Sequence, residues 1–462
     1  MPFDLKQVLE ENRRQNFSLY SRYVNPQLPG VLGTLQFDRF YVRGEGCYLW
    51  DDEGRRYLDF LSGFGVFALG RGHPAIVGAL HDALDADLPN LVQMDCSLLS
   101  GVLAKELVQR SHTGIQRVVF TNSGAEANEA AIKFARAATR RSRILYCDHA
   151  FHGLTTGALA LNGGREFRSG FGPLLPGTTM IPFGDAAALA AELRKGDVAA
   201  FFVEPIQGKG VTMAPESYWQ EAEALCRRHG ALLVVDEVQA GMGRTGTFFC
   251  HEQLGITPDI ITMSKALSGG YVPVGAMLCS EDVCDAVYSS LDRAVVHSST
   301  FGTNQLAMVA GLATLAAFDD EDILGRVRRT AKAFDEALTP LVDRYEFLHE
   351  VRGMGLMIGL VFGEPTTPAL RRRFKVVEAL RSALFSQMVV VPLYHRHGIL
   401  TQVAAYNMNV VKLLPPLVAG DEEVEHFAEA LDYVLASAER GSSLMVEFGK
   451  TMALGTLHRV RR

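Results

Sequence analysis

Short apolar runs alternate with amphipathic helical stretches through the middle of the chain. The helical stretches, such as 125–139 and 218–228, repeat apolar residues three or four positions apart, whereas the runs between them are rich in Val, Ile and Phe. The strand candidates are 117–120, 143–146, 199–203, 232–235, 260–262 and 274–278. Because strand and helix alternate, the pattern predicts an α/β fold with a mostly parallel sheet and helices on both faces.

The regions on either side of this alternation predict smaller structural units. An amphipathic helix is expected at 5–17 and a hairpin at 47–61, with its turn at 51–54. Beyond residue 321, a long helix followed by mixed strand and helix patterns predicts a smaller α+β domain. The strand candidates in that domain are 347–351, 356–361, 389–391 and 410–414.

A chain of 462 residues exceeds a single hydrophobic core, so more than one domain is expected. We predict an N-terminal segment at 1–69 that packs with the small domain, a large domain at 70–320, the small domain at 321–440 and a basic tail at 441–462. A docked or frayed tail is the simplest interpretation of the last part, and weak attraction to an anionic membrane is the alternative.

Composition and charge exclude several classes of protein. The formal net charge is −7, with 48% hydrophobic and 21% charged residues, so a basic surface for nucleic acid is not expected. Seven scattered cysteines without a Cys-x-x-Cys pair favour a reducing compartment over disulfides or a structural zinc site, and we expect no metal. Neither a signal sequence nor an apolar run of roughly 18 residues occurs, so a cytoplasmic location is predicted.

Charged side chains follow two of the predicted strands. Asp236 ends the run at 231–235, and Lys265 ends the run at 259–264. Open α/β sheets carry their chemistry at the carboxyl ends of strands, so we expect these two groups to lie in one site. The glycine-rich stretch at 240–249 reads as a tight loop between them.

Other strand ends supply an anion site, a ring and a second carboxylate. Ser123 and Gly124 open a helix whose first amides could bind a phosphate, although Ser123 with Glu126 equally fits a capping box. Phe151 and His152 could stack on a planar ring or pack in the core. Glu204 could be a second carboxylate of the site, or it could form a structural ion pair with an arginine.

One cofactor needs this whole set of groups. Pyridoxal 5′-phosphate requires a lysine for its aldehyde, a carboxylate beside its pyridine nitrogen and a cradle for its phosphate. Lys265 and Asp236 fit the first two requirements, and the cradle would be formed by Ser123, Gly124 and Ala125. Phe151 would supply the stacking ring and Gln239 a polar contact.

Six motifs in this order resemble the class III pyridoxal-phosphate aminotransferases, which include the ornithine, acetylornithine and 4-aminobutyrate enzymes. The similarity covers about 49–434. The motifs are Ser123-Gly-Ala-Glu-Ala-Asn-Glu129, Phe151-His-Gly153, Glu204-Pro-Ile-Gln-Gly208, Asp236-Glu-Val-Gln-Ala-Gly-Met-Gly-Arg-Thr-Gly246, Ser264-Lys265 and Thr300-Phe-Gly-Thr-Asn304.

The resemblance implies fold type I of the pyridoxal-phosphate transferases, with a seven-stranded, mostly parallel sheet in the large domain and a smaller α+β C-terminal domain. It also implies a homodimer with shared active sites. Lys265 would form the Schiff base and shuttle a proton, and Asp236 would pair with the pyridinium nitrogen. The remaining cofactor contacts would come from Ser123, Gly124, Ala125, Phe151, His152, Glu204 and Gln239, joined by Thr303 of the neighbouring subunit.

Three positions depart from the ornithine-type pattern, and all three weaken the binding of a carboxylate or make the site less polar. Lys412 replaces an arginine before Pro-Pro-Leu, Leu154 replaces an arginine after Phe-His-Gly, and Phe64 replaces a tyrosine. We therefore expect an amino-acid donor, glutamate or alanine, and a large apolar acceptor, such as a lipid- or polyketide-derived aldehyde or ketone.

Several alternatives stay open at the level of sequence. Lys412 could still bind the carboxylate of an ordinary ornithine, acetylornithine or 4-aminobutyrate substrate, with help from Arg352 or Lys209. An aminomutase or a decarboxylase would share Lys265 and Asp236. A non-catalytic regulator would need a DNA-binding module, and the segment before residue 70 has no room for one.

Overall fold

The structure, a computed structural model, describes residues 3–90, 94–380, 384–404 and 408–440. The predicted tail at 441–462 lies outside the described residues. The chain begins with helices α1 (Leu5–Glu11), α2 (Asn16–Tyr23) and α3 (Leu28–Thr34), strands β1 (Tyr41–Glu45), β2 (Tyr48–Asp51) and β3 (Arg56–Asp59), and the single turn α4 (Ser62–Gly65).

The predicted helix at 5–17 is wrong in its extent, because two helices, α1 and α2, occupy this region. Asp4 caps the first by accepting hydrogen bonds from the amides of Lys6 and Gln7. Arg14 lies between the two helices with φ of 61°, a left-handed conformation that a continuous α-helix cannot contain. The predicted hairpin is confirmed by the antiparallel pairing of β2 with β3.

The next part of the chain alternates strand and helix as predicted. Its elements are α5 (Pro74–Asp85), α6 (Leu98–Gln109), β4 (Arg117–Thr121), α7 (Gly124–Thr139), β5 (Arg143–Cys147), α8 (Thr156–Ala160), α9 (Arg165–Arg168), β6 (Thr178–Ile181), α10 (Ala186–Leu193), β7 (Val198–Val203), α11 (Glu216–His229), β8 (Leu232–Asp236), β9 (Ile260–Met263), β10 (Gly275–Cys279), α12 (Glu281–Asp285) and α13 (Gln305–Asp320). Short 3-10 helices lie at Cys250–Glu252, Lys265–Ser268 and Leu291–Arg293.

The strands form one seven-stranded sheet in the order β4-β10-β9-β8-β7-β5-β6. All neighbours are parallel except β10, which runs antiparallel to both β4 and β9. The predicted sheet is therefore confirmed. Every residue of the interior strand β7 is buried, because helices cover both faces of the sheet. Strand β6 was not predicted, since its Thr-Thr-Met-Ile sequence lies at an edge and is only partly apolar.

The C-terminal part contains α14 (Ile323–Arg344), β11 (Leu348–Met354), β12 (Met357–Phe362), α15 (Pro368–Leu380), α16 (Leu384–His397), β13 (Ile399–Leu400), β14 (Gln402–Val403), β15 (Val410–Leu413) and α17 (Asp421–Arg440). Four of the strands form an antiparallel sheet in the order β11-β12-β15-β14. Strand β13 instead pairs with β3 of the N-terminal hairpin. The limits of the four predicted parts of the chain stay predictions.

The predicted strand at 389–391 is wrong, because these three valines lie in helix α16. All three are almost completely buried. Helix α16 contacts α17 and α15 as well as strands β13, β14 and β15, so its apolar residues do not form one stripe. A run of valines in a helix that is buried all round is locally indistinguishable from a buried strand.

Among the described helices, none is by itself long and apolar enough to cross a membrane. The segments Pro368–Ala379 and Leu384–His397 reach that length and composition only together, with a bend of 93° between them.

Candidate active site

Asp236 and Lys265 follow neighbouring parallel strands at the carboxyl edge of the large sheet. Asp236 is the last residue of β8 and pairs in register with Thr262 of β9. Lys265 comes two residues after β9 ends and has φ of 41°. A left-handed conformation at a residue with a side chain is strained, and such strain often marks a functional position. Both side chains line the same cavity.

The carboxylate of Asp236 is held by three donors. Its Oδ2 accepts from Asn128 Nδ2 and lies against His152 Nδ1, both at 2.8 Å, and its Oδ1 accepts from the amide of Val238 at 3.0 Å. Burial alone would lower the pKa of His152, but the bond to Asp236 and its charge raise that pKa above its usual value. A carboxylate fixed in this way is suited to hold a proton on a partner nitrogen.

Asn128 was not singled out from the sequence, although the structure places it beside Asp236. Its amide also donates to the carbonyl of His152 at 2.7 Å and accepts from the hydroxyl of Thr262 at 2.9 Å. It sits one turn inside α7 and is buried. The signal was a polar residue on the otherwise apolar, alanine-rich face of that helix.

Burial lowers the pKa of Lys265, although the negative charges of Asp236 and Glu204 oppose this shift. A lowered pKa leaves more of the amine neutral near pH 7, and the neutral amine is the form that attacks a carbonyl. Glu204 uses its own carboxylate to accept from the amides of Phe151 at 2.9 Å and Gly208 at 2.8 Å. It therefore fixes two loops of the site, and the structure shows these amides, not an arginine, on its two oxygens.

The N-terminus of helix α7 opens onto the cavity. The hydroxyl of Ser123 caps the helix by accepting from the amide of Glu126 at 3.2 Å, so the predicted cap is confirmed. Gly124 and Ala125 line the cavity, whereas Ser123 does not appear on its wall. A Cβ at Gly124 would come within 2.9 Å of both methyl groups of Val238, so only glycine fits here. Capping and anion binding are compatible in this geometry.

Lys412 and Gln239 are joined to each other at the far side of the cavity. Lys412 Nζ donates to the carbonyl of Gly208 at 2.8 Å and to Gln239 Oε1 at 3.2 Å, and Gln239 Nε2 donates to the carbonyl of Phe64 at 3.2 Å. The Lys412 side chain comes from β15 and is 4% exposed. Burial, reinforced by the charge of Lys265, lowers its pKa to about 7.

The cavity has a volume of about 640 Å³, and the rest of its wall is largely apolar. Phe151 packs edge-on against Phe167, with ring centroids 5.3 Å apart. Phe64 and Leu154 also line it and are 49% and 57% exposed. Lys209 lines the cavity too, but its amine is bound to Glu166. Arg352 donates to the carbonyl of Gly210 and does not appear on the wall.

Thr303 does not line the cavity of its own chain. It lies in the turn before α13, next to Phe301, which is 58% exposed, and it does not appear among the lining residues. Of the predicted cofactor contacts, the structure brings together Gly124, Ala125, Phe151, His152, Glu204, Asp236, Gln239 and Lys265. The predicted substrate contacts Phe64, Leu154 and Lys412 line the same cavity.

These residues fit pyridoxal phosphate. The start of α7 provides amides and a positive dipole end for the phosphate, and the Gly124 position leaves the backbone bare there. Phe151 offers a ring, Asp236 a fixed carboxylate and Lys265 an amine of lowered pKa. The geometry can therefore hold a planar, phosphorylated aldehyde between the sheet edge and the apolar wall.

Comparison with known proteins points the same way. Residues 33–435 match the family model described as aminotransferase class-III. The chain is 40% identical over 409 residues to acetylornithine aminotransferase of Mycolicibacterium smegmatis, covering 87% of this chain and 94% of that protein. It is 34% identical over 450 residues to aminotransferase PigE of a Serratia species, covering 90% of this chain but only 53% of PigE.

Solved structures of similar fold include ornithine aminotransferase of Toxoplasma gondii. One such structure matches with 28% identity and a TM-score of 0.83, covering 96% of this chain and all of that one. Another, with 28% identity and a TM-score of 0.82, covers 95% of this chain and 99% of that one and is described as having partial occupancy of PLP at its active site.

Proposed function

Because the chain belongs to the class III aminotransferases, which depend on pyridoxal phosphate, we propose that it moves an amino group from an amino acid to a large apolar aldehyde or ketone. The amino-acid donor is glutamate or alanine. The main support for this proposal is that two lysines on the cavity wall already have hydrogen-bond partners within the protein. Lys209 is paired with Glu166, and Lys412 with two protein oxygens.

Lys412 is a weaker partner for a substrate carboxylate than an arginine would be. Two of the three hydrogens of its ammonium group point at Gly208 and Gln239. With a pKa of about 7, the amine is neutral in a large fraction of molecules at neutral pH. Lysine also lacks the two-pronged guanidinium that binds a carboxylate through two parallel hydrogen bonds.

The apolar wall favours a hydrocarbon substituent. Phe64, Phe167 and Leu154 line the cavity beside the stacking ring Phe151. Each methylene of an acceptor that leaves water for such a wall gains about 0.8 kcal/mol. A long aldehyde or ketone therefore gains binding energy where an additional carboxylate would lose hydration without finding a free cation.

The residue roles in this proposal are supported by the positions of the side chains around one cavity. Bound pyridoxal phosphate supplies an electron sink for the carbon that carries the amino group. Asp236, which Asn128 and His152 hold in place, would keep the proton on the ring nitrogen. Lys265 would take the proton from the substrate carbon and return it. Gln239, which Lys412 holds, would contact the ring oxygen.

The main alternative is an ordinary ornithine, acetylornithine or 4-aminobutyrate aminotransferase. The 40% identity to acetylornithine aminotransferase of Mycolicibacterium smegmatis favours it, and the third hydrogen of Lys412 could face a carboxylate. An aminomutase on the same fold would return no keto acid from its amino substrate. Detection of the keto acid separates it from a transaminase.

The donor is identified by an absorbance titration of the purified holoenzyme. Glutamate, alanine, ornithine and putrescine are added in turn, and conversion of the lysine-bound pyridoxal form to the pyridoxamine form is followed. Conversion by glutamate or alanine, and not by ornithine, supports the proposal. Conversion by ornithine as fast as by any other amine contradicts it. Lys265→Ala is the control and should convert with none.

A homodimer and a cytoplasmic location complete the proposal. The dimer is supported by Thr303, which does not line the cavity of its own chain, and by the exposed apolar side chains of Leu291 and Val295, which precede Thr303 in sequence. The location is supported by the composition alone.

A further inference from the structure

Lys209 extends over the aromatic wall of the cavity. Its side chain leaves the loop after β7 and is 8% exposed, and its ammonium lies 4.3 Å from the ring centroid of Phe167 and 5.8 Å from that of Phe151. It is bound to Glu166 Oε1 at 2.6 Å. A buried cation beside a substrate cavity is thus neutralised by a carboxylate of the same chain.

A short helix positions Glu166 next to Lys209. It lies in α9 next to Phe167, so one element supplies both the counter-ion and part of the apolar wall. Gly164 leaves the space that the carboxylate occupies, because a Cβ there would collide with both of its oxygens. Burial acts to raise the pKa of Glu166, but the bond to Lys209 and its charge lower that pKa below its usual value, so the carboxylate stays ionised.

We propose that Glu166 is a specificity-determining residue that neutralises Lys209 and thereby rejects acceptors that carry a second charged group. This inference rests on the proposed function and names the residues that set its substrate class. A substrate carboxylate that approached Lys209 would meet a cation already paired with Glu166 at 2.6 Å. The negative charge of Glu166 would then stand beside the substrate carboxylate as a like charge.

The proposal predicts opposite effects for the two halves of the pair. Glu166→Gln leaves the charge of Lys209 without a counter-ion, so a carboxylate-bearing acceptor should bind better. Lys209→Met leaves the charge of Glu166 alone beside the cavity, so the same acceptor should bind worse. A purely structural role of the pair, such as holding α9 in place, would change both variants in the same direction.

The experiment compares two acceptors that differ only in a terminal carboxylate, pentanal and 5-oxopentanoate. The ratio of kcat/KM for 5-oxopentanoate to that for pentanal is measured with the holoenzyme. It should rise about five- to tenfold in Glu166→Gln, as expected for one partly buried charge pair, and fall in Lys209→Met. Glu336→Gln is the matched control, because it removes a carboxylate from an ion pair with Lys332 that does not line the cavity, and it should keep the ratio of the wild type.

A binding measurement checks the same claim without turnover. Glutarate, a non-reactive dicarboxylate, is titrated calorimetrically into the holoenzyme, and its Kd should decrease in Glu166→Gln and increase in Lys209→Met. Retained cofactor absorbance and an unchanged Tm show that each variant is folded. Equal ratios in all variants, or changes of the same sign in Glu166→Gln and Lys209→Met, overturn the proposal.

The failure of this inference is distinguishable from that of the proposed function. If wild-type protein used 5-oxopentanoate as well as pentanal, the apolar-acceptor proposal would fall. The shift of the ratio between wild type and Glu166→Gln would still decide the role of Glu166. Conversely, an unchanged ratio in the variants refutes the role of Glu166 even where wild type prefers pentanal.

Discussion

Single residues in this site are oriented by hydrogen bonds from their neighbours. Asp236 owes its orientation to Asn128 and His152, which both contact Oδ2, and to the amide of Val238 on Oδ1. Lys412 likewise fixes Gln239, because it donates to the oxygen of that amide and leaves the nitrogen to donate to Phe64. Hydrogen bonds therefore fix the polar side chains of the site, whereas its apolar wall is held by packing, as between Phe151 and Phe167.

Asn128→Ala should destabilise the protein and slow the donor half-reaction. The change removes a donor from Asp236 and leaves the hydroxyl of Thr262 without its acceptor, so the free energy of unfolding should fall by about 1–3 kcal/mol. Urea unfolding and single-turnover absorbance measure the two effects. Thr262→Val is the matched control, since it breaks the bond to Asn128 but leaves Asp236 its donor. If both variants slowed the half-reaction equally, Asn128 would not act through Asp236.

Lys412 should make the stability of the protein depend on pH between pH 7 and about 10. Its pKa is about 7 in the folded chain, below the value of about 10.4 in an unfolded chain, so the unfolded chain binds more protons between these values. The contribution of Lys412 to stability therefore increases as pH rises from 7 to about 10.

The measurement is Tm at pH 7 and pH 9 for the protein stripped of its cofactor. The wild type should gain about 2 °C over this interval relative to Lys412→Met, which cannot titrate there. Lys105→Met, at an exposed position in α6, serves as the control and should follow the wild type. Identical pH slopes for wild type and Lys412→Met would show that the buried amine keeps an ordinary pKa.

The structural elements place these groups by ending at the same edge of one sheet. Strands β7, β8 and β9 are neighbours, and Glu204, Asp236 and Lys265 follow them at their carboxyl ends. Helix α7 begins at that edge with its capped N-terminus toward the cavity. Loop and helix starts thus carry the chemistry, while the strands themselves are apolar.

Gly124→Ala should weaken cofactor binding more than it alters folding. The added methyl group would meet Val238 at 2.9 Å and push the first turn of α7 away from the cavity. The Kd for pyridoxal 5′-phosphate, measured by fluorescence, should rise at least about tenfold. Gly78→Ala is the control, because that helical glycine is exposed and a Cβ there meets nothing within 4 Å. An unchanged Kd for Gly124→Ala would remove α7 from the phosphate site.

The sequence predicted most of this arrangement, since strands that end in a charged residue are locally encoded. Asp236 and Lys265 each follow an apolar run. Their closeness in space can be predicted because the carboxyl ends of parallel strands lie at the same edge of a sheet. The strand predicted at 389–391 is wrong because three consecutive valines favour a strand locally, whereas in the folded chain they lie in helix α16, which is buried on several sides. The pairing of Glu166 with Lys209 was not predictable, because the two residues are 43 positions apart in sequence and meet only through the fold.

At the scale of the whole molecule, large apolar side chains are exposed in several parts of the described chain. They include Leu291, Val295 and Phe301, which are close to Thr303 in sequence, as well as Leu98 and Met94. Exposed apolar side chains in such numbers mark protein contacts more often than solvent-facing surface. We therefore expect the protein to associate with itself through a surface that includes part of the segment 291–303.

Light scattering should give a mass of twice the 50.5 kDa of one chain. If Thr303 completes the site of the neighbouring subunit, mixing inactive Lys265→Ala chains with inactive Thr303→Arg chains should restore activity. One type of site in the mixed dimer then contains neither change. A monomer in solution, or no recovery after subunit exchange, would contradict shared sites.

The most direct test of the central claim offers the enzyme two acceptors at once. The holoenzyme is first converted to its pyridoxamine form with its amino donor and freed of excess donor. Nonanal and N-acetylglutamate semialdehyde are then added together, and the two amine products are measured by mass spectrometry. We predict that nonanal is aminated at least about tenfold faster at equal concentration, as the wall of phenylalanines and the occupied lysines require. Preferential amination of N-acetylglutamate semialdehyde would show that the site serves a carboxylate-bearing acceptor, and the apolar-acceptor account would be wrong.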